Sequence, residues 1–191
     1  MPQLKPRGSW YWVKFDPRDK GSGAALAQLR KGVGRQAGSV PELWRYHAVV
    51  ISDYEADTGV VSAPLAAEHA ALTLFAVHQQ SQDTSMHRAD EHLGIALRKL
   101  RASKQFKDNP EALDRRVNSA ATATSVAELV HHLRGLVTLL RGEHLPIDYT
   151  RLAQDIADWH HPDTRARARS RWGAQYYAWN STTAPAAATA E

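Results

Sequence analysis

At 191 residues the chain can fold as one sizeable domain or two small ones, each with a proper core. It has no cysteine, which excludes a disulfide framework, a thiolate zinc site and a catalytic thiol and fits a cytosolic protein. The net charge of +4 is only mildly basic, no apolar run is long enough to span a bilayer, and the start lacks a signal-peptide core, so the expected location is cytoplasmic with no membrane partner.

Residues 1–9 are polar or small and read as a disordered tail. Ser39-Val40-Pro41-Glu42 has the form of a capping box with proline in the first turn, which predicts a helix through ELWRYHAVVI. The stretch 53–64 reads as a loop. The next helix is predicted over 63–80, with Leu65, His69, Leu72, Phe75 or Ala76, and Gln79 down one side. A second break falls at 78–92.

A helix over 92–103 turns Leu93, Leu97 and Leu100 to one side. Asn109-Pro110-Glu111 starts another, carrying Leu113, Val117 and Ala120 inward. Ser125-Val126-Ala127-Glu128 is a second capping box, opening a helix with Leu129, Leu133, Leu136 and Leu140 on one face and Gly142 at its end. Asp148 can cap the segment bearing Tyr149, Leu152, Ile156 and Trp159. Pro162-Asp163 starts the last helix, and 180–191 reads as a disordered tail. Alternating strand patterns are nearly absent. The expected fold is an all-α helical bundle, with a helical part over 10–90 and a second over 91–179 that two packed sub-bundles would accommodate.

Charge is distributed unevenly. Between residues 95 and 141 nine basic residues face four acids, a surplus of five that the rest of the chain offsets by one. Such a block points to an anionic partner, most commonly phosphate. Arg98, flanked by Lys99 and Arg101, lies opposite the leucines of its helix, and Arg115 lies opposite Leu113 and Val117 with Arg116 beside it. Arg134 and Arg141, seven apart, share a stripe at the edge of a leucine face. This geometry suits phosphate contact and equally suits plain solvation.

The stretch TRARARSRWGAQYYAW (164–179) sets four arginines at every second position. On a strand all four would align; on a helix they point in different directions. Helical spacing gives one face of Ala168, Trp172, Gln175, Tyr176 and Trp179, with Arg165 and Arg169 beside it and Arg167 and Arg171 pointing away. Residues 142–190 hold five arginines and five acids, among them Asp155, Asp158 and Asp163 as available partners. A helix with a mainly structural role is expected. Ten histidines invite a metal hypothesis, with His87, Asp90, Glu91 and His92 as the densest cluster. There is no HExxH and no paired Glu-x-x-His set, so no metal or cofactor is assigned and no enzyme is expected.

LGIALRKL (93–100), LRGLVTLLR (133–141), IDYTRLAQDIADW (147–159) and RSRWGAQYY (169–177), in that order, resemble the CasB family, the small subunit of the type I-E CRISPR Cascade surveillance complex. AALAQLRKG (24–32) and LTLFAVH (72–78) fit the family pattern more loosely. The resemblance implies a non-catalytic helical protein that pairs with a second copy of itself and contacts other Cascade subunits. It would hold guide RNA, target DNA and the displaced strand through their backbones, since sequence is read by base pairing. The basic positions it implies are Arg115 and Arg116, Arg134, Arg98, and Arg30 with Lys31; Lys99, Arg101 and Arg141 complete the candidate set from the basic block. Two other classes stay open: a metal-dependent hydrolase using the His87–His92 cluster, and a scaffold that contacts only protein.

Overall fold

Helix-initiating side chains set the element order over residues 4–177, the part of the chain that the computed structural model describes. α1 (Tyr11–Lys14) and α2 (Ser22–Arg30) lead to a 3-10 helix (Pro41–Tyr46), α3 (Asp53–Thr58) and α4 (Ala63–His78). Then follow α5 (Leu93–Arg101), α6 (Pro110–Thr122), α7 (Val126–Gly142), α8 (Tyr149–Asp158) and α9 (Pro162–Tyr177). Ser52, Ser62, Ser125 and Asp148 each accept a hydrogen bond from the backbone N–H three residues on, at the starts of α3, α4, α7 and α8. Among the described residues the only β pairings are isolated bridges, Pro6 with Val49 and His87 with Ile147. The fold is all-α, as expected. No helix among the described residues is long and apolar enough to cross a membrane.

α4 is the central element. Every residue from Ala67 to Gln79 is buried, so the helix is enclosed all round rather than along the single side that the spacing suggested. α2, α7 and α8 pack against it. α7 adds Leu129, Leu133, Leu136, Val137 and Leu140, and α8 adds Tyr149, Leu152 and Ile156. One apolar cluster runs from Trp10 to Tyr176, so the stretches 10–90 and 91–177 share a core.

Three segments differ from the sequence reading. Residues 4–9 of the supposed tail are held: the Leu4 N–H donates to Gln154 Oε1 (3.0 Å) and the Arg7 N–H to the Ala48 carbonyl (2.6 Å). Just beyond them Trp10 and Trp12 stack at 5.2 Å, and the Trp12 indole donates to Thr150 Oγ1. The helix expected from Glu42 to Ile51 is a short 3-10 helix that stops at Tyr46, without a side-chain cap. Buried Glu68 draws the chain out of helix there, its carboxylate accepting the N–H groups of Ala48 (2.5 Å) and Val49 (2.9 Å). Within 53–64, read as a loop, α3 forms behind a capping box of Ser52 and Glu55 and ends at Gly59 in the left-handed region. The break after α4 is real. It is ordered by the buried Gln79 side chain, which donates to the Gln82 and Thr84 carbonyls and accepts from the Met86 N–H.

α9 answers the question of the alternating arginines. It is a helix whose buried stripe is Thr164, Ala168, Trp172 and Tyr176, with Gln175 half-buried; Trp179 lies outside the described residues. Arg167 is exposed. Arg171 does not point away as expected: it donates to Asp155 (2.7 Å) and Asp158 (3.1 Å). Asp155, only 3 % exposed, also receives the Trp172 indole N–H (2.7 Å) and pairs with Arg151 (3.1 Å). α9 also crosses α5 at backbone distance. A Cβ added to Gly94 would lie 2.8 Å from the Trp172 carbonyl oxygen and 2.7 Å from Gln175 Cβ.

Two imidazoles, His69 and His78, are buried, and a third, His47, is half-buried beside His69. His47 Nε2 lies 3.3 Å from His69 Nδ1, His69 Nε2 3.1 Å from the Gly32 carbonyl, and His78 Nδ1 3.0 Å from the Tyr149 hydroxyl. Burial is the main cause that pushes His47 down to about 4 and His78 down to about 3, and it also lowers His69.

Two outcomes are expected. Asp155→Ala leaves the buried Trp172 indole without its acceptor and takes one of the two carboxylates from Arg171, and should cost about 3 kcal/mol in urea unfolding, the lower end of what loss of one partner of a buried pair costs. Trp172→Ala should cost a similar amount, about 3–5 kcal/mol, by cavity formation. For pH, the unfolded imidazoles bind protons below about 6.5 while the folded ones resist until lower pH. Stability is therefore full above that value and falls as pH drops from 6.5 toward 4. Glu68, raised by burial, opposes this trend at the acid end. Thermal melts should show a loss of roughly 5 °C or more between pH 7 and 5, since 1 kcal/mol moves a chain of this size by about 2–4 °C. His47→Gln should make that loss smaller.

Candidate nucleic-acid interface

Eight of the nine candidate basic residues fall into two groups once their partners are known. Lys31 meets Glu42 at 3.1 Å, with both side chains exposed. Lys99 bonds both carboxylate oxygens of Glu91 at 2.8 Å. Arg101 makes a forked pair with Asp114 (2.9 and 3.1 Å), and that carboxylate also accepts the Tyr176 hydroxyl at 2.6 Å. The Arg101 pair is the main cause that holds the Asp114 carboxyl below its usual range. Arg141 donates to the Val77 carbonyl and to Gln80 Oε1, both at 3.1 Å, fastening α7 to the end of α4. These four cations are tied to the protein itself.

Arg98, Arg115, Arg116 and Arg134 form the other group. All four are exposed, and no ion pair holds their guanidinium groups among the described residues. Arg30 is half-buried at the last residue of α2. α6 turns Leu113, Val117 and Ala120 to the core, which leaves Arg115 and Arg116 outside. α7 does the same with its leucines, leaving Arg134 outside.

α6 and α7 are joined by residues 123–125 and pack on one another. Arg115 stands seven residues before the end of α6 and Arg134 eight after the start of α7. At 1.5 Å per residue these are about 10 Å and 12 Å from the connecting turn. The hairpin thus sets the two arginines at comparable height. Lys104 and Lys107, left out of the candidate set, are exposed in the turn between α5 and α6. Both belong to the basic block of residues 95–141.

The arginines of α9 are partly spoken for. Arg165 donates to the Thr124 carbonyl (2.5 Å), Arg169 lies over the Trp159 ring at 5.9 Å, and Arg171 is held by its two aspartates. Trp159 itself stacks on Trp172 at 5.3 Å, so the Arg169 guanidinium lies beside the aromatic face of α9.

The histidine cluster is not gathered as the sequence arranged it. His87 Nδ1 accepts the Tyr149 N–H at the start of α8, and Glu91 is taken by Lys99. Asp90 and His92 instead meet Asp148, with one ligand atom from each within 4.8 Å of the others. Asp148 and His92 already have structural tasks. Asp148 caps α8 and accepts the Asp90 N–H, and His92 Nδ1 bonds the Gln175 amide at 2.8 Å.

Residues 25–177 match the family model described as CRISPR-associated protein Cse2. No curated protein matches the chain. Among solved structures, CasB from Thermobifida fusca is 32% identical with a TM-score of 0.65, over 84% of this chain and 86% of that one. A chain of a CRISPR RNA-guided surveillance complex is 25% identical with a TM-score of 0.54, over 81% of this chain and 82% of that one. With the matched segment taking in α4 to α9 and their shared core, the chain belongs to the Cse2 (CasB) family of CRISPR-associated proteins.

Proposed function

We propose that this chain is a non-catalytic small subunit of a Cascade surveillance complex, acting in the cytoplasm beside other Cascade subunits and a second copy of itself. It binds nucleic-acid backbone without regard to sequence, stabilising the guide RNA–target DNA R-loop and the displaced strand. The observation that carries this reading is the set of exposed, unneutralised arginines on neighbouring helices: Arg115 and Arg116 on α6, Arg134 on α7, and Arg98 on α5. A cation already engaged by a carboxylate or a carbonyl oxygen has less to offer a phosphate, so Lys99, Arg101, Arg141 and Lys31 contribute less than their charge implies. Lys104 and Lys107 lengthen the track along the α5–α6 turn. Because base pairing reads the sequence in such complexes, the subunit needs reach and positive charge, with no base-reading groups.

The test is titration with unrelated oligonucleotides across a salt series. Arg115→Ala with Arg134→Ala removes two phosphate contacts and leaves the core alone. It should lower the log–log salt slope by about 2 units and weaken all sequences alike. Arg167→Ala should change the slope less. Arg171→Ala should act mainly on the melting temperature through Asp155. Salt-insensitive binding by the wild type, or none at low ionic strength, would favour the protein-only scaffold. Dominance of the Arg167/Arg171 pair in a folded protein would move the track to α9.

A further inference from the structure

We infer that Asp114 is a positioning residue of the proposed nucleic-acid surface. Its carboxylate holds the Arg101 guanidinium out of the phosphate track, so the chain binds with one contact fewer than its arginines could make. The inference rests on the backbone-binding reading given above.

Arg101 stands among the unpaired arginines. It is the last residue of α5 and follows Arg98 by three positions, so the two are neighbours on the helix surface. Its partner Asp114 lies on α6 and is followed directly by Arg115 and Arg116. The pair therefore joins α5 to α6 beside three of the four arginines that carry the proposed function. The side chains of Arg101 and Asp114 are 38 % and 20 % exposed, so the pair stands at the surface.

The geometry favours the pair over a passing phosphate. Arg101 Nε donates to Asp114 Oδ1 at 2.9 Å and Nη2 donates to Oδ2 at 3.1 Å. A third donor, the Tyr176 hydroxyl from α9, meets Oδ1 at 2.6 Å, and its ring is buried. Exposed ion pairs contribute little as a rule, but a forked arginine–carboxylate pair fixed by a further hydrogen bond is the exception. A phosphate arriving here meets a unit with no net charge. To take Arg101 it must displace Asp114, whose freed carboxylate then stands beside it as a like charge. A unit that neutralises no phosphate releases no counterions.

The other acids of the basic block do not act in this way. Asp108 and Glu111 are exposed and in no ion pair among the described residues, and Glu128 meets only His132. Glu111 precedes Arg115 by four positions on α6 and still takes no arginine. Glu91, just before α5, takes Lys99, whose ammonium is a point charge on a flexible stem and lacks the fork.

The test is oligonucleotide titration of the full chain across a salt series. Asp114→Asn keeps an oxygen for Tyr176 and removes the charge that holds Arg101. It should raise the log–log salt slope by about 1 unit and tighten binding to all sequences alike. Adding Arg101→Gln should return the slope to the wild-type value, and Asp114→Glu should keep it there. Glu111→Gln makes the same change of net charge without freeing a guanidinium, and should leave the slope as it is. Tyr176→Phe should lower the melting temperature without moving the slope, which separates holding helices from holding charge. A slope that Asp114→Asn does not raise, or a rise that Arg101→Gln does not remove, overturns the inference. So does a double variant whose slope falls about 1 unit below wild type, because Arg101 would then already carry a phosphate. That last readout decides the matter even where Asp114→Asn alone does not fold. A wild-type chain without salt-dependent binding refutes the parent reading and the inference together. A wild-type chain that binds as proposed, with Asp114→Asn matching it, refutes the inference alone.

Discussion

Asp155 is the constraint on which the C-terminal half of the molecule depends. Its carboxylate sits under α9 and gathers Arg171 and the Trp172 indole from that helix and Arg151 from its own. A buried carboxylate is costly unless several donors meet it, so α9 is held to the rotation that brings Arg171 and the Trp172 indole within reach. That rotation puts Ala168, Trp172 and Tyr176 into the core and sends Tyr176 on to Asp114, which in turn engages Arg101. The chain of contacts therefore runs from α8 through α9 to α6 and α5, the helices that carry most of the basic block. A single acid with three donors fixes the orientation of a surface it never reaches.

The same accounting divides the charges of this protein into two kinds. Arg101, Arg141 and Arg171 are spent on holding helices together, and their guanidinium forks suit that work because each can meet two acceptors in fixed geometry. Arg98, Arg115, Arg116 and Arg134 stand outside any such arrangement. The N-terminal groove beside α3 is different again, lined mainly by apolar side chains such as Trp44, Val49, Ile51 and Leu65.

Much of this was legible in the sequence, and the reasons are local. Ser125 and Asp148 cap their helices because the capping bond spans only three residues, and Pro110 and Pro162 start helices because proline fits the first turn. The leucine stripes of α7 and the aromatic stripe of α8 followed from helical spacing. What escaped depends on distant partners. Glu68 unwinds the segment after Tyr46 from twenty residues away, and the Leu4 and Arg7 backbones are tied down by α8 and by Ala48. Asp155 and Asp158 were readable as available partners, but helical projection pointed Arg171 away from the core side and could not assign it to them. The candidate site was legible as a list of cations, but which of them are neutralised is a tertiary fact. The one missed local signal was Ser52-Asp53-Tyr54-Glu55, a capping box that opens α3 inside what reads as a loop.

The contact at Gly94 has a mechanical consequence. With no side chain there, α5 rests against the Trp172 carbonyl and the foot of the Gln175 side chain, and the crossing has no room for a further atom. The spacing of the two helices at that point is set by backbone contact and one side-chain stem, so it varies less than a spacing filled by whole side chains. The platform beneath Arg98 on α5 and Arg167 on α9 is held in this way, while the two exposed side chains above it adjust to whatever they meet.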